Sequence, residues 1–190
     1  MGASLVVSPP LRTATGLSNG MLATMFVIVA ESTVFAGLAA SFNILRSQYN
    51  TWPPMGQPRL PAEATALNSV MLLLSGIACE RAARCRTPAE TTRWLGIALF
   101  FAVGFLGAQG REWWSLVQFG LTGTSVFGGL FYSLVGTHAV HVLFSVVLLA
   151  HGVRAVHTGR WSAIEVGTLR VWWWFVVLLW PFIYWLVYLR

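Results

Sequence analysis

Residues 21–42 read MLATMFVIVAESTVFAGLAASF, an apolar run broken by one ionisable side chain, Glu31, near its middle. The run extends over residues 20–45. A helix of that length, rising about 1.5 Å per residue, crosses a hydrocarbon core of roughly 30 Å. The stretch therefore predicts a transmembrane helix with a carboxyl group close to the bilayer midplane. A carboxyl group at that depth is costly, so it is expected to face protein or a cavity, to carry its proton and to have a partner. Two roles are open to it: an interhelical hydrogen bond that fixes packing, or proton or lipid handling within a complex.

The rest of the chain has the same character. Of 190 residues, 56% are hydrophobic and 9% charged, and the mean hydropathy is +0.68. Such a composition predicts a polytopic membrane protein. The net charge of +6 comes from twelve arginines against six glutamates, with no Lys or Asp. A basic excess of this kind belongs to cytoplasmic loops. No basic patch with interleaved aromatics lies outside the apolar runs, so nucleic acid is not an expected partner. Cys79 and Cys85, with five residues between them, match neither a CxxC pair nor a zinc framework and are expected as free thiols.

Five apolar segments are expected, at about 20–45, 64–83, 94–109, 126–153 and 171–189, making one all-α transmembrane domain over 1–190. Residues 1–19 read as a short polar leader without a signal-peptide core. The proline-rich stretch 46–63 reads as a loop. Asn68, Ser69 and Ser75 in segment two, and Gly96, Gly104 and Gly107 in segment three, favour close helix contacts. Thr91 is placed to cap segment three, and Glu80 and Arg84 to pair at i, i+4. GREWWSLVQFGLTG (110–123), with Trp113 and Trp114, reads as an interfacial stretch after segment three. Pro181 is expected to kink segment five. With the N-terminus inside, Arg12, Arg81, Arg84, Arg86, Arg93, Arg154, Arg160 and Arg170 fall on the inner side and Arg46, Arg59, Arg111 and Arg190 on the outer. The positive-inside rule thus favours a cytoplasmic N-terminus and an outer C-terminus.

His138 and His141 stand at i, i+3 near the middle of segment four, at about the depth of Glu31. The three residues are expected to form a buried polar cluster, with Glu31 hydrogen-bonded to one of the two imidazoles. A neutral pair is favoured, because a buried ion pair costs several kcal/mol in desolvation per ion. As a metal shell, two His and one Glu are weak support, since HxxH alone is common. Haem is disfavoured on ligand count: no other span supplies an axial His. No nucleophile–base pair, phosphate loop or carboxylate pair suggests an active site.

The order of motifs resembles subunit III of the haem–copper oxidases. Gly20-Met21, Ala30-Glu31, Phe35, Gly37 and Phe42 resemble the family's first shared helix with its membrane-buried Glu. WPPMG (52–56), Leu60-Pro61, Asn68 and LLLS (72–75) resemble its WPPxG…LP…NT..LLxSS stretch. FLGAQGREW (105–113) is similar to FLxxQxxEY, and FGGLFYSLVGTHAVHV (127–142) to YGSTFFxATGFHGxHV. Arg154 and Gly159 continue the order. The last segment departs: VWWWFVVLLW (171–180) has Trp174 and Val177 where the family's WYWHFVDVVW-like run has His and Asp, as in a divergent branch.

The resemblance implies a non-catalytic accessory subunit in a five-helix form lacking the family's first two helices. It implies packing on catalytic subunit I, phospholipid held in a cleft, and support of proton uptake and stability. Haem and copper are expected in partner subunits, with no cofactor in this chain. Trp52, Asn68, Gln109, Glu112, Trp113 and Arg154 are then candidate lipid or interface contacts, in a bacterial-type inner membrane. The ligand inventory points the same way. A catalytic subunit needs about six His for two haems and a copper, against four here, and a binuclear-copper subunit needs a close Cys pair. The alternatives are a subunit III-like protein of nitric oxide reductase and a stand-alone proton-linked transporter or channel.

Overall fold

The computed structural model describes residues 18–52, 54–55 and 60–189. The polar leader, Arg12, Arg59 and Arg190 of the arginine count, and Pro53 and Gly56 of the WPPMG motif lie outside the described residues. The elements are α1 (Asn19–Ser47), α2 (Ala62–Arg84), α3 (Pro88–Gln118), α4 (Val126–His157) and α5 (Ala163–Tyr184), the last continued by a π-helical turn, Trp185–Leu189. All five helices are long and apolar enough to cross a membrane. The chain is an all-α, multi-pass membrane protein.

Local chemistry sets most helix ends. The hydroxyls of Ser18, Thr87 and Ser125 accept from the backbone N–H groups of Met21, Glu90 and Gly128. Ser162 and Glu165 form a reciprocal capping box at the start of α5. Thr87 with Pro88, rather than Thr91, therefore begins α3. Gly120 and Gly159 adopt φ of +93° and +68° and stop α3 and α4. After each of them the chain folds back, with Leu121 N–H on Leu116 C=O (2.9 Å) and Arg160 N–H on Ala155 C=O (2.8 Å). These bonds satisfy carbonyls that the helix would leave open.

Two segments are longer than expected. Segment three is not a short span over 94–109 followed by an interfacial stretch: α3 has 31 residues, and GREWW is helical within it. Segment five starts at Ala163, not at 171, so the connection after α4 shrinks to a few residues. The helix runs through Pro181 and changes to π geometry from Trp185. The missing N–H of proline and this local adjustment go together in membrane helices.

The bundle is built around α2, α3 and α5, with α4 against α3 and α5. A Cβ on Gly76 would lie 3.2 Å from Val177 and 3.3 Å from Trp174, so a small residue in α2 is what lets α5 approach. Gly104 does the same for Met71 between α3 and α2, whereas Gly96 and Gly107 meet nothing close. Of Gly96, Gly104 and Gly107, the close-packing expectation thus holds for Gly104 alone. Helix α1 stands apart, touching α4 and α5 through a single stripe of Phe35, Ala39, Phe42 and Leu45. Its other faces expose Phe26, Val29, Val34 and Ile44. In a bilayer those side chains face lipid or another membrane protein.

Candidate functional site

The stripe that seats α1 on α4 also positions Glu31. One turn before Phe35, its carboxyl Oε2 lies 3.2 Å from His141 Nε2. The other ring nitrogen of His141, Nδ1, is 2.7 Å from the carbonyl oxygen of Thr137. A carbonyl accepts, so Nδ1 carries hydrogen. In a neutral ring Nε2 is then the acceptor, and the Glu31 carboxyl must donate to it. With the proton moved across, an imidazolium donates to a carboxylate through the same contact. In either form a single hydrogen joins the two side chains. Phe35 meets the imidazole edge-on at 5.4 Å and Trp172 stacks on it at 5.9 Å. Trp172 is itself fixed by donating to Ser145 Oγ (2.8 Å), whose hydroxyl donates to His141 C=O (2.7 Å). The Glu31 side chain keeps 32% of its surface exposed, against 13% for His141.

His138 does not join this pair. Residues three apart on a helix point about 60° away from each other at 100° per residue, and that rotation turns His138 toward α3 and α5. It is 1% exposed and stacks on Trp180 at 5.0 Å. Neither ring nitrogen has a hydrogen-bond partner among the described residues. The expected three-residue cluster is thus a two-residue pair with a separate buried imidazole.

A second polar centre lies nearer the far end of α3. Glu112 accepts from Thr65 Oγ1 (2.8 Å), Asn68 Nδ2 (2.7 Å) and Gln109 Nε2 (3.0 Å). Trp113 and the Tyr188 hydroxyl border the same group. Asn68, Gln109 and Glu112, candidates for outward contacts on sequence, are placed face to face between α2 and α3. Trp52 packs on Phe42 and Phe127 at 5.4 and 5.1 Å, with the Arg46 guanidinium 5.5 Å above its ring. Arg154 is exposed in the last turn of α4. No group of three or more His, Cys, Asp or Glu that could hold a metal ion occurs among the described residues.

Sequence reasoning missed the way α5 is attached. Trp173 and Trp180 donate their indole N–H to Ser75 (3.2 Å) and Ser69 (2.8 Å), and Trp174 donates to Glu80 Oε2 (3.0 Å). Tyr184 donates to Ala62 C=O (2.9 Å). Ser75 in turn donates to Ala98 C=O (2.6 Å), tying α5, α2 and α3 together. The apolar-looking run 171–180 is therefore a ladder of N–H donors opposite hydroxyls of α2. Glu80 also pairs with Arg84 (2.8 Å), as its i, i+4 spacing predicts, and with Arg170 (3.4 Å). The Trp at the position of the family's His thus keeps a polar contact, while Val177 packs apolar against Gly76.

The family profile described as Cytochrome c oxidase subunit III matches residues 10–190. The chain belongs to that family. Subunit III is a non-catalytic subunit of the haem–copper oxidase complex, and the ligand-poor inventory of this chain suits such a part. A cytochrome c oxidase subunit 3 of Synechocystis sp. is 33% identical over 176 residues, covering 89% of this chain and 75% of that protein. That of Bacillus subtilis is 29% identical, covering 96% and 91%. A relative named cytochrome bo(3) ubiquinol oxidase subunit 3, from Pseudomonas putida, is 26% identical over 85% of this chain and 81% of its own length. Subunit III relatives thus carry the names of oxidases with either type of electron donor.

Proposed function

We propose that this subunit III packs on the catalytic subunit I of a haem–copper terminal oxidase in a bacterial-type cytoplasmic membrane. There it supports proton uptake and durable turnover through the Glu31–His141 pair. The observation that carries the proton role is the 3.2 Å contact with its defined tautomer: one shared proton, one partly exposed carboxyl, two helices. Haem and copper belong to the partner subunits. Phospholipid fits the cleft of about 590 Å³ between α1, α4 and α5, lined by Val27, Phe144, Leu148, Ile164 and Trp172 with Thr24 and Thr168. Its apolar walls match acyl chains, and the standing-apart of α1 is what opens it.

Exchange of Glu31 separates packing from proton handling. Glu31→Gln keeps a donor for His141 Nε2 and much of the shape, so the complex should assemble. Slower proton uptake or a shortened active lifetime at normal assembly is the expected result; unchanged turnover and lifetime would reduce Glu31 to packing. Glu31→Ala leaves the imidazole unpaired and should cost about 1–3 kcal/mol of subunit stability.

The arginine asymmetry gives the orientation: N-terminus and the α2–α3 turn cytoplasmic, the loop 48–61 outside. An Asn50→Cys variant lacking the native thiols should react with impermeant maleimide added outside. Native Cys85 should react from the cytoplasm. Partial burial raises the Cys85 thiol pKa, with Glu90 adding to the effect, so mildly alkaline buffer is expected to speed its labelling. Labelling of position 50 from the cytoplasmic side alone overturns the orientation.

A further inference from the structure

The turn between α2 and α3 gathers four arginines. Arg81, Arg84, Arg86 and Arg93, with Glu90 and Trp94, border an open concavity of about 760 Å³. The guanidiniums of Arg81 and Arg93 lie 5.3 and 5.9 Å from the centre of one ring, the half-buried indole of Trp94, which anchors both cations at the rim. The chain does not neutralise them. Its six side-chain carboxylates are all glutamates and all among the described residues. Glu80 takes Arg84 and Arg170, Glu31 meets His141, and Glu112 accepts from neutral donors. Glu165 closes the capping box of α5, and Glu63 stands at the far end of α2. Arg81, Arg86 and Arg93 pair with none of the six. Glu90 alone borders the concavity, which leaves an excess of positive charge there.

A guanidinium presents a rigid fork of N–H donors that matches two oxygens of one phosphate. The N-terminus of the 31-residue α3 opens at the same turn and adds the positive end of its dipole. The surface next to the arginines selects the source of the phosphate. On α2, Ile77 is four residues before Arg81, on the same face, and 46% exposed. On α3, Phe100 is seven residues after Arg93, again on the same face, and 70% exposed. Both side chains belong to apolar membrane spans. The cationic rim thus passes directly into lipid-facing surface. A soluble phosphate would use only the rim, whereas a molecule with an anionic head and acyl chains uses both. We propose that the concavity at the α2–α3 turn binds the phosphate headgroup of an anionic phospholipid, whose acyl chains lie along Ile77 and Phe100. The site is separate from the cleft between α1, α4 and α5, which has no arginine in its lining.

The test uses the full-length chain purified with the subunits that accompany it, in phosphatidylcholine nanodiscs doped with a photoactivatable phosphatidylglycerol. Peptide mapping should find crosslinks at the α2–α3 turn. Unlabelled phosphatidylglycerol should displace them; added phosphatidylcholine or inorganic phosphate should not. Arg81 and Arg93 are exposed, so glutamine at either position leaves the fold intact. Arg81→Gln and Arg93→Gln should each raise the half-saturating fraction of phosphatidylglycerol about fivefold, the factor expected for one cation beside an anionic headgroup. Arg160→Gln removes the same charge from an exposed position outside the concavity and should leave that fraction unchanged. Arg93→Lys keeps the charge and should keep most of the binding. A turn that is not labelled in the complex, as when an acidic segment of a partner subunit covers it, overturns the proposal. So does displacement by inorganic phosphate, which would mark a soluble-anion site. An equal loss in Arg160→Gln would reduce the effect to general surface charge, and an equal loss in Arg93→Lys would reduce it to packing on Trp94; either contradicts the headgroup site.

Discussion

Replacing Glu112 with alanine is expected to lower the stability of this subunit by about 3 kcal/mol, the sum of several buried donors losing one acceptor. Thr65, Asn68 and Gln109 all donate to this single carboxylate at 2.7–3.0 Å. Thr65 is fully buried and Gln109 nearly so, so water does not readily replace what is lost. The single hydroxyl hydrogen of Thr65, within reach of both Glu112 and Pro61 C=O, can turn wholly to the carbonyl, but the amides of Asn68 and Gln109 have no such fallback in these contacts. Glu112→Gln keeps one acceptor oxygen and should cost less than half as much. The measurement is the temperature at which the subunit is lost from the detergent-solubilised complex. Equal loss temperatures for native and alanine forms would mean that the α2–α3 contact is held by packing alone.

Trp173→Ala should be comparably severe, at about 3–5 kcal/mol, because with Trp180 it is one of the two largest fully buried side chains among the described residues. The indole fills space at the centre of the bundle and donates to Ser75, which ties α2 to α3 through Ala98 C=O. Trp173→Phe keeps most of the volume, and Ser75 keeps its own acceptor, so the expected cost is only about 1 kcal/mol. Subunit retention after heating distinguishes the two forms. Similar losses for Phe and Ala would place the energy in the hydrogen bond instead of the volume.

These two residues mark the limits of what the sequence disclosed. Spans were legible because a bilayer demands about 20 apolar residues in helical form, and Glu31 stood out because charge is rare at that depth. That one imidazole meets it was legible too. Which one was not: i, i+3 spacing brings two side chains to neighbouring positions, and the rotation that sends His141 to α1 and His138 to Trp180 is fixed by tertiary packing. The end of α3 was misread for a related reason. Glu112 looked like an interfacial charge, yet α2 supplies donors that neutralise its polarity inside the bundle, so the helix continues past it to Gln118. The indole ladder of α5 was hidden because Trp counts as apolar in any hydropathy reading, while each indole carries a donor that must be matched when buried. A signal was present: Ser69 and Ser75 put hydroxyls six residues apart within the apolar span of α2.

In the proposed role this chain is a subunit III working beside a haem–copper catalytic subunit. Affinity purification of the tagged chain from mildly solubilised membranes, followed by an optical spectrum and a metal count, tests it most directly. Haem and copper are expected at fixed stoichiometry to the tagged chain, all of it in partner subunits, so that the chain separated from them is colourless. Recovery with a nitric oxide reductase, as a homo-oligomer without a metal-bearing partner, or with a Soret band that stays on the isolated chain would contradict it.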